Sequence, residues 1–486
     1  MAERIKMGSV RVRDIGRVKE VKTSIIKIEG LSSCLVGQII NCGDGIKGFV
    51  MGFNEEEVLV LLLSPGKIKA GDKVYSESVS FKMPVGNNFL GRVVNFLGEP
   101  LDGKGVIEED DFSTVFAEAP AVLDRVPIED MLYTGIRTLD AAIPVGKGQR
   151  QLIIGDRMTG KTSIAVDVML NQKEKDIICI YCCIGRDYAS FEKVVGVLKE
   201  KGALNNTIIV AALASALVGE QYLAPYTAAA LGEYFMYAGK DVVVVFDDLT
   251  KHAWAYRELS LLLERSPGRE AYPGDIFYLH AQLMERAAKL SPSMGGGSMT
   301  FFPIADTLQG DIADFIPTNL ISMTDGQIFL NSDLFGEGFK PAIDLGLSVS
   351  RIGNKVQSPI LKEFVQDLGL EYIRYRENLK ATKLRADISE DLNKRLRHGE
   401  KIERILMQER NAPSPIEEQL LLFYALKKGA LDFLTNEQCN DFKKKILLFA
   451  KEKYSRLVDA LKADRELNSQ ERELLRTCVA IFFERY

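Results

Sequence analysis

Three hydrophobic rhythms follow one another along the chain. Up to about residue 82, short apolar runs such as VLVLLL (58–63) alternate with turn signals, among them Gly43-Asp44-Gly45 and Ala70-Gly71-Asp72. Several short strands at this spacing predict a small β-barrel or sandwich over 1–82. From 83 to 358, strand-like runs (QLIIG, DIICIYCCIG, NTIIVAAL, DVVVVFDD) alternate with helical stretches, and Gly-rich loops such as Gly295-Gly296-Gly297 concentrate there. That alternation predicts a parallel sheet with crossover helices. Over 359–486 the strand pattern stops and helix starts recur. Ser414-Pro415-Ile416-Glu417 places a cap at Ser414, a proline at the first helical position and a glutamate at the third. Thr435-x-x-Gln438 and Asn468-x-x-Glu471 repeat the capping box, and residues 417–434 carry apolar side chains at helical spacing. No internal repeat or low-complexity segment interrupts the pattern.

A chain of 486 residues agrees with three such domains, at roughly 150 residues each. Apolar residues at 46% and charged residues at 27% exclude a mostly disordered chain. Lys plus Arg number 62 against 67 Asp plus Glu. No excess positive charge is available to coat nucleic acid, although a local basic groove stays compatible. The longest apolar run, Ile208 to Val218, contains a serine and stops at Gly219-Glu220, short of the roughly 20 residues of a membrane span. The N-terminal charges of Met1-Ala2-Glu3-Arg4 have no apolar core behind them, so folding in the cytosol is expected. Of seven cysteines, Cys179-x-x-Cys182-Cys183 has metal-like spacing, but it lacks a second ligand pair and sits in a strand-like run. Buried apolar cysteines are expected there.

The strongest chemical signal is Gly155-Asp156-Arg157-Met158-Thr159-Gly160-Lys161-Thr162, between the apolar run LII and the helix-like SIAVDVML. It fits G-x-x-x-x-G-K-[ST]. Glycines let backbone N–H groups curl around phosphate oxygens, and a helix N-terminus adds its positive end. Lys161 is placed to reach the outer phosphates and Thr162 to ligate Mg²⁺. Downstream, the run Val242 to Phe246 ends in Asp247-Asp248. A strand of this kind beside a phosphate loop delivers a carboxylate to Mg²⁺, a role expected of Asp247. Taken alone, such an aspartate is as readily a helix cap.

These residues, with PVGNNFLGRVVNFLGEPLDGKG, TGIRTLDAAIPVGKGQRQLIIGDRMTGKTS, PGREAYPGDIFYLHAQLMERAAK, IPTNLISMTDGQIFL and GLSVSRIG, give a chain that resembles the alpha subunit of F-type rotary ATP synthases over nearly its whole length. The resemblance implies an N-terminal β-barrel, a central α/β RecA-like P-loop domain and a C-terminal helical domain. It implies ATP or ADP with Mg²⁺ as ligands, and a hexamer of alternating alpha and catalytic beta-type chains around a rotating gamma-type shaft. The complex would lie at the inner face of the cell membrane, which this chain would touch only through other subunits. Related catalytic chains carry a glutamate in a Gly-x-Gly-Glu-Arg turn, where it orients the attacking water. Here the turn is Ile184-Gly185-Arg186-Asp187, and an arginine accepts no proton at neutral pH. Asp187 is one residue off. A site that binds nucleotide without turning it over is therefore expected. By the same resemblance Arg351, in Ser348-Val349-Ser350-Arg351, acts in trans on the neighbouring beta site, and Ser348 falls on an activity-sensitive serine. On its own, Arg351 reads as a surface charge. Phe335, Pro341 and Gln408 correspond to the adenine pocket, with Arg410 where a second glutamine is common.

Three departures stand out. Strand-like sequence begins by about residue 16, which leaves little of the helical extension that meets a peripheral stalk. Met158 replaces the usual glutamine in the phosphate loop. Lys380-Ala381-Thr382-Lys383-Leu384-Arg385-Ala386-Asp387 stands where the family has an acidic, Phe-containing loop facing the shaft; it is either a solvated helix face or the match to a more acidic shaft. Alternative readings are a motor-like relative without proton translocation and a catalytic export-type homohexamer, which would need the missing glutamate. An RNA-translocating hexamer is disfavoured by the charge balance and the lack of an aromatic-rich nucleic-acid face.

Overall fold

A computed structural model describes residues 14–485, apart from residues 23, 44, 55, 64–65, 77–80 and 383–388. Six strands, β1 (Ile15–Lys22), β2 (Ile25–Gly30), β3 (Ile39–Asn41), β4 (Lys47–Phe53), β5 (Val58–Leu62) and β6 (Lys73–Ser76), close into a barrel in the order β1-β2-β5-β4-β3-β6. Val18, Ile26, Ile28, Val50, Val60 and Val74 fill its interior. The opposite faces of the same strands, through Ile25, Phe49, Leu59 and Leu61, join the core of the central domain. Strand β5 is therefore buried on both sides, which is why VLVLLL carries no polar face.

Strands β7 (Lys82–Val85) and β9 (Asp111–Thr114) pair as a separate ribbon, while β8 (Val93–Val94) joins the edge of the main sheet. That sheet adds β10 (Leu152–Gly155), β11 (Ile177–Ile184), β12 (Thr207–Ala212), β13 (Asp241–Asp247), β14 (Ala288–Lys289), β15 (Ser298–Asp306), β16 (Gly326–Leu330) and β17 (Val349–Ser350). Its order is β17-β16-β10-β15-β13-β11-β12-β8, with β14 beside β15. The pairings are parallel except for β14–β15 and β16–β17. Strand order reverses around β10, so a crevice opens at the carboxyl ends of β10, β15 and β13. Apolar side chains alternate between two cores. Cys179, Tyr181 and Cys183 face one and Ile180, Cys182 and Ile184 the other. The three cysteines of this strand are fully buried; because Cys182 points away from the other two, their sulfurs do not converge on one ion.

A charged clasp crosses the second core. The Arg286 guanidinium, 1% exposed, donates to both Glu233 oxygens at 2.6 Å and to the Val115 carbonyl at 2.8 Å. It ties the helix Val218–Tyr237 to the chain beyond β9.

From Pro359 the described chain is helical, over Pro359–Val365, Leu368–Thr382, Glu390–Leu406, Ile416–Lys427, Asn436–Lys453, Ser455–Lys462 and Ser469–Arg485. Among the described residues no helix is long and apolar enough to cross a membrane. Both expected capping boxes form, at Thr435/Gln438 and at Asn468/Glu471. The third start is displaced by one residue. The helix begins at Ile416, Pro415 holds the capping position in extended conformation, and no side chain caps it. The Ser414 N–H donates to the Gly135 carbonyl of the central domain, and its hydroxyl caps no backbone N–H. Lys383–Asp387, the greater part of the segment expected to face the shaft, and the first thirteen residues lie outside the described residues.

Candidate nucleotide site

Strand β10 runs directly into the loop 155–162, and the helix Lys161–Asn171 follows. A β-carbon at Gly155 would lie 2.5 Å from the Leu330 carbonyl oxygen of β16, and Gly160 has φ +105°. The first glycine permits the close strand approach, the second a left-handed backbone. Met158 also adopts positive φ, 64°, with its side chain 91% exposed. A bulky residue in that region is a local strain at the loop's apex.

The loop is braced from outside. Asp156 accepts from the Thr307 hydroxyl at 2.6 Å, the Gly310 N–H at 2.8 Å and the Ser332 hydroxyl at 3.1 Å. Thr159 donates to the Asp156 carbonyl at 2.7 Å. The Lys161 ammonium, 6% exposed, donates to the carbonyls of Gly155 at 2.8 Å and Asp156 at 2.5 Å and pairs with Asp306 at 3.0 Å. Arg157 reaches the other Asp306 oxygen at 3.3 Å and lies over the Trp254 ring. Two cations thus stand at the mouth of a loop whose helix N-terminus points the same way, a cradle for polyphosphate.

The expected Mg²⁺ pair is also brought together. Thr162 Oγ1 donates to Asp247 Oδ2 at 2.8 Å. Tyr181, whose phenol burial pushes well above its ordinary value, donates to the same oxygen at 2.8 Å. The other oxygen, Oδ1, accepts from Arg186 Nη1 at 2.6 Å. A hydroxyl and a carboxylate at the end of a phosphate loop suit a hard dication in kind, although this carboxylate already carries a guanidinium. Burial, then Asp247 and Asp306, push the neighbouring Asp248 up to about 7; its carboxylate caps the next helix through the Lys251 N–H at 2.7 Å. Asp187 likewise caps a helix, accepting from Ser190 N and Oγ at 2.8 and 2.7 Å, and so faces away.

The residues matched to the adenine pocket gather at one place. Ser332, bound to Asp156, opens the short helix Ser332–Gly336 that carries Phe335. The Lys340 ammonium lies 4.8 Å from the Phe335 ring centroid. Lys340 also accepts the Gln408 N–H, which puts Gln408 beside Pro341. The Gln408 amide is itself engaged: it accepts from Arg137 N at 3.1 Å and donates to the Gly135 and Ala412 carbonyls at 2.8 Å each. Arg410 is exposed nearby.

Arg351 is placed elsewhere. Strand β16 pairs Leu330 with Gly155 at the loop end and Gly326 with Ser350 at the far end. Four residues separate these levels, about 13 Å along the strand. Arg351 continues past Ser350, exposed, with its N–H on the Asp325 carbonyl. The Ser348 hydroxyl is buried and accepts the Phe329 N–H at 2.9 Å.

A sequence profile described as the ATP synthase alpha/beta family, nucleotide-binding domain, matches residues 135–350. A second, for the C-terminal domain of the ATP synthase alpha/beta chain, matches residues 357–482. The chain is 43% identical to an ATP synthase subunit alpha of Petrotoga mobilis over 99% of its own length and 96% of the relative's. It is 44% identical to that of Dictyoglomus turgidum over 95% and 91%. The chain belongs to the alpha-subunit family of F-type ATP synthases.

Set against this family, the structure adds residues that sequence patterns did not single out. Asp306 pairs in register with Gly155 across β10 and β15 and holds both Lys161 and Arg157. Its signal was present, since β15 ends in aspartate as β13 does, but its weight depends on β15 lying next to the phosphate-loop strand. Tyr181 lies two residues before Cys183, which pairs with Asp247, so its phenol reaches that carboxylate. Ser332 links the base-side helix to the loop and carried no motif.

Proposed function

We propose that this chain is a non-catalytic, nucleotide-binding alpha subunit that binds ATP or ADP with Mg²⁺ and completes the catalytic sites of neighbouring beta-type chains. In this reading it alternates with those chains in a hexamer around a gamma-type shaft, at the inner face of the cell membrane and attached through other subunits. Lys161 and the loop N–H groups hold the phosphates, Thr162 and Asp247 hold the dication, and Phe335, Pro341, Gln408 and Arg410 border the base. Mg²⁺, when bound, neutralises phosphate charge. Arg351, with Ser348 fixing its segment, serves the adjacent site. The observation that carries the non-catalytic reading is the Arg186–Asp247 ion pair at 2.6 Å, in the turn where catalytic relatives place their glutamate. An always-charged group there positions no water as a base would.

The test uses the purified full-length chain. Wild type should bind ATP with negligible steady-state hydrolysis, and Lys161→Ala should lose tight binding, because the outer phosphates lose their counter-charge. Equal affinity in both proteins would remove the phosphate-loop assignment. Robust turnover by the chain alone, lost in Lys161→Ala, would favour an export-type catalytic hexamer.

A further inference from the structure

Arg186 has a second consequence, toward the metal. The carboxylate expected to hold the dication already accepts from three protein donors: Thr162 and Tyr181 on Oδ2, each at 2.8 Å, and Arg186 on Oδ1 at 2.6 Å. Strand register fixes this arrangement, since β11 pairs Cys183 with Asp247 and the chain turns at Gly185 to return Arg186 over the strand end. The turn is held by Gly185 N–H on the Ala212 carbonyl at 2.7 Å and Ala214 N–H on the Arg186 carbonyl at 2.9 Å. The guanidinium is three-quarters buried, so its charge is weakly screened.

The charge count differs from that of a site with a neutral residue in this place. There, Asp247 is uncompensated, and a polyanion entering beside it needs a dication between the two. Here the carboxylate is neutralised in advance, and the same guanidinium keeps donors free at the carboxyl ends of β11 and β13. A planar, permanently charged fork suits phosphate oxygens.

We propose that this site binds nucleoside di- and triphosphates with little dependence on Mg²⁺, with Arg186 supplying fixed positive charge where other sites rely on the dication. The inference rests on the phosphate-loop reading of Gly155–Thr162, and the experiment separates the two. ATP affinity of the full chain is measured by calorimetry in Mg²⁺ and in EDTA, for wild type, Arg186→Gln and Arg186→Lys. The wild-type ratio of the two dissociation constants should stay below ten. Arg186→Gln, which keeps a polar side chain but no charge, should raise the ratio above ten, mainly by weakening metal-free binding. Arg186→Lys should fall between, since it keeps the charge and loses the fork. Counting Mn²⁺ by its electron paramagnetic resonance should give one ion per bound nucleotide in Arg186→Gln and well under one in wild type at limiting Mn²⁺. A wild-type ratio of ten or more, or the same ratio in wild type and Arg186→Gln, overturns the inference and leaves the nucleotide site standing. Binding unaffected by Lys161→Ala overturns both.

Discussion

Replacing Arg351 with alanine should separate two activities that one chain is proposed to support. Arg351 follows Ser350, whose level on the sheet is about 13 Å from that of Gly155; it is exposed, with its Nη2 on the Ile321 carbonyl at 3.3 Å. At that distance in water a unit charge acts on another with about 0.3 kcal/mol. Screening at physiological salt, with a Debye length of about 8 Å, brings this below about 0.1 kcal/mol. The affinity of the chain's own loop for ATP should therefore change by less than ~1.5-fold. The neighbouring catalytic site should respond differently. An arginine at a transferring phosphoryl group is worth about 10³ to 10⁵ in turnover, because it helps little in the ground state and much as charge builds. Turnover of the reconstituted alpha–beta complex should fall at least ~100-fold, with partial compensation allowed for. Arg351→Lys should rescue poorly, since a point charge lacks the planar fork. The assay is multisite ATPase of the complex, with nucleotide occupancy of this chain titrated separately. Wild-type turnover in Arg351→Ala would make the residue a surface charge. A fivefold or greater loss of own-site affinity would show that the sheet-end placement is wrong.

Two further predictions concern stability. Arg286→Met leaves Glu233 buried and unpaired, which should cost about 3–5 kcal/mol in chemical denaturation; adding Glu233→Gln should recover part of it, and a loss under about 1 kcal/mol for the single variant would refute the clasp. His398 lies between Glu371 and Asp432, the latter at 2.7 Å, and these carboxylates raise it to about 9. Its contribution should be complete below about pH 6.5, its ordinary value, and vanish as pH rises through 9. The stability gap between wild type and His398→Asn, on the order of 1–2 kcal/mol after solvent screening, should close between pH 6 and pH 10. An equal gap at both ends would sink this assignment.

Much of the fold was legible because its signals are local. The phosphate loop, the strand ending at Asp247 and the Thr435 and Asn468 boxes each depend on residues a few positions apart. What sequence patterns missed is set by strand order. Arg186 reads only as a missing glutamate until β11 is known to lie beside β13, where it becomes the partner of Asp247. Asp306 is one strand end among several until β15 is placed next to β10. Ser414 shows the opposite failure: a sound local signal, yet the helix starts one residue later, with Pro415 in the capping position.

The separation of the phosphate loop from Arg351 also bears on symmetry. On the proposed reading the chain receives a nucleotide at one end of its sheet and offers an arginine from the other, so its two ends have unlike surfaces to match. Alternation with beta-type chains brings one end of each chain to the opposite end of the next. Such head-to-tail contacts generate either an open filament or a closed ring. The proposed hexamer requires closure, so the angle between successive chains would itself be a functional quantity. Substitutions that tilt this interface by a few degrees would fail as assembly defects while leaving every residue of the nucleotide site intact.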